Sequence, residues 1–286
     1  MFGYSGQAYY QQIKAQEQEA LQEDLLVQEV LRIRQTQKRL GARKLLVIMS
    51  TFMLEHRINM GRDTFFELLR AHGLLVRKRK RYKPQTTFLA HWLRKYSNLI
   101  IGFIPVAPDQ LWVSDITYIH LQSGFAYLSL ITDAYSRKIV GFYLSKDLSA
   151  MGCMQALVMA LQNKGAHQKL IHHSDRGIQY CSYAYVKLLQ DHSVAISMTQ
   201  KGDPLENALA ERVNGILKEE LLEVVYSSFT AAQTAIATAI SIYNYQRPHS
   251  SVDMLTPVEA HTKTGILKKH WKNYYAIKKE KQKDMV

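Results

Sequence analysis

The sequence has only two cysteines, Cys153 and Cys181, in 286 residues. Two thiols are too few for a disulfide framework or a cysteine-rich zinc module, so we expect both to be reduced. The sequence also lacks a run of about 18 to 20 apolar residues, which a membrane-spanning helix requires. Residues 1–6 lack the basic and then apolar order of a secretory signal. We therefore expect a cytoplasmic protein that has no membrane partner.

Negative charge is scarce at both ends of the sequence. The formal net charge is +13 for the whole chain, of which residues 1–100 carry +10, residues 101–260 carry −3 and residues 261–286 carry +6. This distribution indicates that the flanks bind a polyanion while the centre uses carboxylates. Nucleic acid is the leading candidate partner. The alternative is a basic surface that only keeps the protein soluble.

The first 81 residues predict a helical region. Residues 9–37 lack glycine and proline and repeat apolar residues at helical spacing, so we assign residues 1–37 to an amphipathic N-terminal helix. Residues 38–81 contain two further apolar-periodic runs, the second at 63–75, across a turn. They predict a helix-turn-helix-like DNA-binding region, with an ordinary helical hairpin as the alternative. The predicted DNA contacts here are Arg62, Arg70, Arg77, Lys78, Arg79, Lys80 and Arg81.

Residues 82–108 have mixed composition and two prolines near their end, which is typical of a linker. The residue pattern then changes to one typical of an α/β domain at residues 109–225. Strand-like runs at 111–120, 125–132 and 138–144 are followed by helices at 150–162, 183–190 and 205–222 that alternate with strands at 169–173 and 194–198. This order predicts a five-stranded mixed sheet flanked by helices. Residues 226–286 complete the chain with a helix at 230–245 and a basic tail.

Three acidic residues stand out in the central domain. Asp115 lies inside a predicted strand, where aspartate is depleted because its anion does not tolerate burial. Asp175 follows the fourth predicted strand and precedes a glycine that would allow close backbone approach to a ligand. Glu211 lies on the long predicted helix and shares one face with three further polar residues. These are Asn207, Asn214 and Lys218, which we predict to contact DNA.

Carboxylates from the first strand, the end of the fourth strand and a late helix can meet at one edge of such a sheet. An all-oxygen site of this kind suits two Mg²⁺ ions, with Mn²⁺ as a possible substitute, and two such ions stabilise an in-line phosphoryl displacement. Each residue also has a simpler interpretation. Asp115 can cap a strand irregularity, Asp175 can form a turn, and Glu211 can be an ordinary surface residue.

Four ordered segments resemble the transposase encoded by the second reading frame of insertion sequences of the insertion sequence three family. They are LWVSDITYI at 111–119, HSDRGIQY at 173–180, NALAERVNGILK at 207–218, and YNYQRPH at 243–249 followed by Thr256 and Pro257. Thirty-five residues separate Asp175 from Glu211, the spacing typical of this family and of the related retroviral integrases. The sequence departs from the usual pattern at Glu206, Arg212 and Val252.

The resemblance implies a ribonuclease H-like integrase core in which Asp115, Asp175 and Glu211 bind two divalent ions. It further implies double-stranded DNA of the element ends and of the target as partner, a homo-oligomer on that DNA, and a nucleoid-associated location in a bacterium. A protein from an upstream overlapping frame is a possible additional partner. For Arg247 and His249 it implies contact with DNA or with the rim of the active site, and a structural role at a helix end is the alternative.

Two other functions fit the same residues. The chain can be a DNA-binding regulatory or assembly subunit that is active only as a frameshift fusion. It can also be a nuclease with the ribonuclease H fold, which would hydrolyse DNA without transferring strands.

Overall fold

A computed structural model describes residues 6–76, 92–165, 169–200 and 207–271. The predicted basic run at 77–81 therefore lies outside the described residues. The chain divides into two units, Met1–Lys80 and Arg81–Val286. Within the described ranges, no helix is long and apolar enough to cross a membrane.

The first unit consists of three helices, α1 (Gly6–Thr36), α2 (Ala42–Glu55) and α3 (Arg62–Ala71). Its core is formed by the apolar stripes of the second half of α1 and of both other helices, and includes Leu26, Val30, Leu45, Met49, Phe65 and Leu69. Helix α3 ends four residues before the predicted end at residue 75. Gly73 adopts a φ of 65° there, and the N–H of Leu74 donates to the carbonyl of Leu69 at 2.7 Å, which closes the helix with a Schellman-type turn.

The second unit is built on a five-stranded sheet. Its strands are β1 (Leu111–Leu121), β2 (Gly124–Asp133), β3 (Ile139–Ser145), β4 (Ile171–Ser174) and β5 (Ala195–Met198). The strand order is β3-β2-β1-β4-β5. Strands β1, β2 and β3 pair antiparallel, whereas β4 pairs parallel to both β1 and β5. The predicted mixed five-stranded sheet of the ribonuclease H-like class is confirmed.

Helices cover both faces of this sheet. They are α4 (Ala150–Gln162), α5 (Ile178–Cys181), α6 (Tyr183–Asp191), α7 (Ala208–Ile216), α8 (Phe229–Tyr245) and α9 (Pro257–Ala260). The long helix predicted at 205–222 differs from what is described: α7 is followed by a π-helical turn at Leu217–Leu221. Helices α5 and α9 were not predicted because four residues are too few to display a helical period.

Each face of the sheet carries its own core. Trp112 and Ile131 pack with α4 and α6 on one face, and Leu128 and Leu130 pack with α7 and α8 on the other. The approach of α4 to β3 requires a glycine at position 141. A Cβ atom there would lie 2.1 Å from the carbonyl oxygen of Ala156.

Segments on either side of the predicted domain at 109–225 also contact this sheet. The described part of the predicted linker, residues 92–108, packs Leu93 and Tyr96 against the α4 side. At the other end, the side-chain amide of Asn244 on α8 exchanges two hydrogen bonds of 2.9 Å with the backbone of Ile139 on β3. Both segments are therefore integral to the fold of the second unit.

Candidate active site

Asp115 lies near the middle of β1, opposite Leu130 of β2. The pairing of β1 with β4 ends at Val113, so Asp115 lies beyond the end of the parallel ladder at an open edge. Its side chain is partly buried. One carboxylate oxygen accepts the backbone N–H of Ile116 at 2.9 Å, and the other accepts the side-chain amide of Asn214 at 2.7 Å. The bond to Asn214 ties Asp115 to helix α7.

Asp175 directly follows β4, the strand that neighbours β1. Its Oδ1 accepts the backbone N–H of Gly177 at 2.9 Å, so Asp175 forms the turn of the simpler interpretation. A Cβ atom at position 177 would lie only 3.0 Å from this oxygen. The turn and its glycine therefore determine where the Asp175 carboxylate sits at the end of the strand.

Glu211 lies in the first turn of α7 and its side chain is exposed. The three acidic residues nevertheless act on one another electrostatically. The pKa of Asp115 is raised from 3.8 to about 7, first by burial, then by the negative charge of Asp175 and more weakly by that of Glu211. The hydrogen bonds from Asn214 and from the N–H of Ile116 oppose this rise in pKa. Asp175 and Glu211 therefore both lie close enough to Asp115 to raise its pKa.

The oxygen-rich composition of this edge suits a hard divalent cation. Among the described residues, no three His, Cys, Asp or Glu side chains are already arranged to hold a metal ion. Two observations still fit a cation here. Positive charge would relieve the repulsion that raises the pKa of Asp115. In addition, the side-chain carbonyl of Asn214 is buried and meets no hydrogen-bond donor within the described ranges, although such orphaned acceptors are uncommon.

The two asparagines predicted to contact DNA are directed into the protein instead. Asn207 and Asn214 are 7% and 6% exposed. Asn207 donates to the backbone carbonyl of Ser114 at 3.0 Å, next to the Asp115 that Asn214 holds. This burial disagrees with the predicted DNA contacts. Both side chains instead attach the start and the middle of α7 to β1.

Lys218 lies four residues after Asn214, on the π-helical turn, and is partly buried. Burial lowers its pKa, and the negative charge of Asp115 opposes this change. The two side chains are therefore close enough to interact. Unlike the two asparagines, Lys218 brings positive charge to the acidic edge, where a phosphate group would be attracted.

Arg247 and His249 do not lie on a DNA-accessible surface of this unit. Arg247 is 1% exposed, and its guanidinium forms a bidentate pair with the carboxylate of Glu220 at 2.9 and 2.8 Å. It also donates to Nε2 of His249 at 2.8 Å. This burial disagrees with the predicted DNA contact and agrees with the structural alternative. Glu220 was missed in the sequence because its partner lies 27 residues away, beyond any local spacing rule.

The predicted DNA contacts of the first unit are only partly described. Arg62 and Arg70 are exposed on α3, and Arg62 pairs with the neighbouring Asp63 at 2.8 Å. The basic residues that follow lie outside the described ranges. Exposure leaves both arginines available to a polyanion, whereas the exposed pair with Asp63 contributes little to stability.

Comparisons with known proteins agree with this architecture. Two models of the integrase core domain match the sequence, over residues 105–204 and 192–257. The uncharacterized 31 kDa protein of insertion element IS600 from Shigella sonnei is 32% identical over 262 residues, which are 90% of this chain and 94% of that protein. The transposase InsF for insertion sequence IS3A of Escherichia coli is 32% identical over 200 residues, or 68% of both chains. A putative transposase for insertion sequence element IS986/IS6110 of Mycobacterium tuberculosis is 34% identical over 164 residues, 55% of this chain and 59% of that one.

Solved integrase structures match part of this chain as well. The HTLV-2 integrase catalytic core domain in complex with magnesium has a TM-score of 0.45 and 18% identity, and covers 55% of this chain and 99% of its own. The catalytic core domain of BIV integrase has a TM-score of 0.42 and 18% identity, and the match covers 54% of this chain and 93% of the BIV chain.

Proposed function

The chain belongs to the family of insertion-sequence transposases with an integrase core domain, and from this premise we propose that Asp115, Asp175 and Glu211 are its catalytic carboxylates. The reaction is cleavage of the element ends and joining of the DNA 3′-hydroxyls to target DNA. The observation that carries this proposal is geometric: Asp115 on β1 and Asp175 at the end of β4 lie on adjacent strands, and Asn214, three residues after Glu211 on α7, donates to Asp115 at 2.7 Å. The raised pKa of Asp115 supports it. Perturbed carboxylates at an open edge are typical of functional sites.

The three carboxylates would hold two Mg²⁺ ions, for which Mn²⁺ can substitute. When bound, such ions stabilise the attacking and leaving oxygens of an in-line phosphoryl displacement. Because the Glu211 side chain is exposed, it can change rotamer at little cost to complete the set. Asn214 orients Asp115 by its 2.7 Å hydrogen bond, and Gly177 leaves room for the carboxylate of Asp175.

The DNA would be held by positive charge on both units. In the second unit, Lys218 is placed to contact a phosphate beside the acidic edge. Arg62 and Arg70 of the first unit, together with the basic run at 77–81, would contact the DNA backbone of the element ends. The assembly on double-stranded DNA is a homo-oligomer, in a nucleoid-associated bacterial location. A protein from an upstream overlapping frame would be an additional partner. Comparing transposition by the chain alone with transposition by a fusion of the two proteins tests this.

The decisive experiment replaces one carboxylate at a time. Asp115→Asn, Asp175→Asn and Glu211→Gln should each abolish Mg²⁺-dependent cleavage and strand transfer on DNA that carries the element ends. DNA affinity and thermal unfolding should stay close to those of the unmodified chain. Asp191→Asn is a matched control, because Asp191 is an exposed carboxylate that pairs with Lys187 on α6. Normal turnover in any of the three variants would contradict the assignment.

Further outcomes identify the two alternative functions. Hydrolysis of end DNA without strand transfer would favour a nuclease. A triad variant that keeps full function in the cell would favour a regulatory or assembly subunit. Calorimetric titration of the uncomplexed protein with Mg²⁺ tests the metal site independently, since Asp115→Asn should weaken binding whether or not DNA is present.

A further inference from the structure

The segment that follows α7 has an unusual helical geometry. At Leu217–Leu221 the chain forms a π-helical turn, and the N–H of Leu222 donates to the carbonyl of Leu217 at 2.8 Å, five residues earlier. Such turns are rare and frequently occur at functional sites. This one carries both Lys218 and Glu220. Since residues two positions apart on a helix do not face each other, the two side chains extend in different directions.

Glu220 is held from the C-terminal end of α8. Its two carboxylate oxygens accept hydrogen bonds from Nε and Nη2 of Arg247 at 2.9 and 2.8 Å. The remaining terminal nitrogen of Arg247 donates to His249, whose ring packs edge-on against Tyr243 at 4.8 Å between centroids. A guanidinium bonded on three nitrogens has a fixed orientation, so the position of the Glu220 carboxylate is fixed as well.

Stability alone does not account for this arrangement. Arg247 is 1% exposed and the side chain of Glu220 is 16% exposed. Burying an ion pair removes two charges from water, and well-packed apolar residues of similar size often stabilise a protein equally well or better. The geometry of the pair, rather than its energy, is therefore the property to explain.

We propose that Arg247 is a positioning residue, which fixes the π-helical turn through Glu220 and thereby holds Lys218 beside Asp115. Asn214 bonds to Asp115 from one turn earlier on the same helical segment, so a shift of the turn would move Lys218 relative to a carboxylate that Asn214 keeps in place. The inference rests on the proposed function, in which Asp115 is catalytic. In this proposal, the YNYQRPH segment at 243–249 has a structural role inside the fold instead of contacting DNA.

The first test replaces the ion pair with apolar residues. In Glu220→Met/Arg247→Met, thermal unfolding should stay near that of the unmodified chain, because no buried charge is left unpaired. Hydrogen exchange of the amides at 217–222 should become faster, and cleavage of end DNA should fall roughly tenfold or more. Unchanged exchange together with unchanged cleavage would overturn the proposal. Arg247→Lys keeps the charge and loses the bidentate geometry, so it gives an intermediate variant if the double variant does not fold.

The second test is a double-mutant cycle with Lys218. If Arg247 acts through Lys218, removing the ion pair in a Lys218→Met background should reduce cleavage by less than about twofold further. Independent, multiplicative losses would show a merely structural role and overturn the proposal. An unmodified chain that cleaves no DNA would count against the proposed function instead. Hydrogen exchange at 217–222 still measures whether Arg247 fixes the turn in that case.

Discussion

Two polar clusters lie along the same helical segment, and they are built on opposite principles. At the acidic edge, Asp115 lies near two residues of like charge, and the buried carbonyl of Asn214 has no donor within the described ranges. At the end of α8, Arg247 and Glu220 have opposite charges, and bidentate geometry joins them. The acidic edge is the unsatisfied cluster, because it contains like charges and an acceptor that meets no donor within the described ranges. The Arg247–Glu220 pair is the saturated cluster, because its opposite charges are joined by two hydrogen bonds.

The difference shows that a functional polar group can be told from a structural one by whether it has its partners within the protein. Unsatisfied groups cost free energy of folding, so they persist where a ligand completes them. Saturated groups already have their partners, so their role is to position neighbouring parts of the chain. Arg247 and the three acids come from motif segments of similar polarity, so residue type alone does not tell their roles apart.

The comparison is tested most strongly at Asp115. We expect Asp115→Asn to reduce cleavage by roughly 10³-fold or more, as removal of a catalytic group commonly does. Because the substitution also removes a repelled charge, the free energy of unfolding at pH 7 should not fall. Turnover assays and thermal unfolding measure the two effects on one preparation. A variant that is both active and less stable would place Asp115 in the saturated class.

The opposite behaviour is expected at Arg247. Arg247→Met alone removes both hydrogen bonds that Arg247 donates to the Glu220 carboxylate, so the free energy of unfolding should fall by about 3 to 5 kcal/mol. Chemical denaturation of the second unit measures this change. Lys187→Met is the control, since its exposed pair with Asp191 at 3.2 Å should contribute less than about 1 kcal/mol. Equal losses in the two variants would remove the distinction between the clusters.

Asn214 lies on the helical segment between Glu211 and the π-helical turn, and its replacement should give an intermediate effect. Asn214→Ala removes the donor that orients Asp115, and we expect Mg²⁺ affinity and cleavage to fall roughly 10- to 100-fold. Titration calorimetry and cleavage assays measure the two quantities. Asn163→Ala is a suitable control because Asn163 is an exposed residue at the end of α4. An unchanged Mg²⁺ affinity would mean that Asn214 acts only on the fold.

The raised pKa of Asp115 predicts a pH dependence of stability. Its folded pKa is about 7, above the unfolded value near 4, so the folded state binds more protons between these values. Without metal, stability should therefore decrease as pH rises from about 4 to about 7, by at most about 1.4 kcal/mol per pH unit from this group. The difference in unfolding free energy between the unmodified chain and Asp115→Asn isolates this contribution. If that difference does not change with pH, Asp115 lacks the proposed environment.

Sequence patterns predicted the elements that carry a long period. The strands β1, β2 and β3 and the helices α1, α4, α6 and α8 were recognisable because many residues in each repeat the same alternation. The three acids were recognisable because a strand disfavours aspartate and because the motif segments resemble a known family. The π-helical turn was not predictable, since it differs from an α-helix by one hydrogen bond and by no change of composition.

The burial of Asn207, Asn214 and Arg247 disagrees with the predicted DNA contacts for a related reason. Polar residues at helical spacing indicate an exposed face, because a sequence does not show which polar groups find partners inside. In the structure, Asn207 bonds to Ser114 and Asn214 to Asp115, more than 90 residues away. Such long-range pairing depends on the tertiary packing of α7 against β1, which no local pattern records.

The smallest expected effect is at Gly177, next to Asp175. Its backbone φ of −59° suits any residue, so Gly177→Ala should leave stability unchanged or raise it by less than about 1 kcal/mol. The new Cβ would lie 3.0 Å from the Asp175 carboxylate and 3.1 Å from the side-chain oxygen of Gln179. We therefore expect the carboxylate to move by a few tenths of an ångström and cleavage to fall roughly three- to tenfold, because metal ligands require accurate placement. Unfolding and Mg²⁺-dependent cleavage measured together decide the matter: a stable variant with full activity would mean that the position of Asp175 is not critical to the acidic edge.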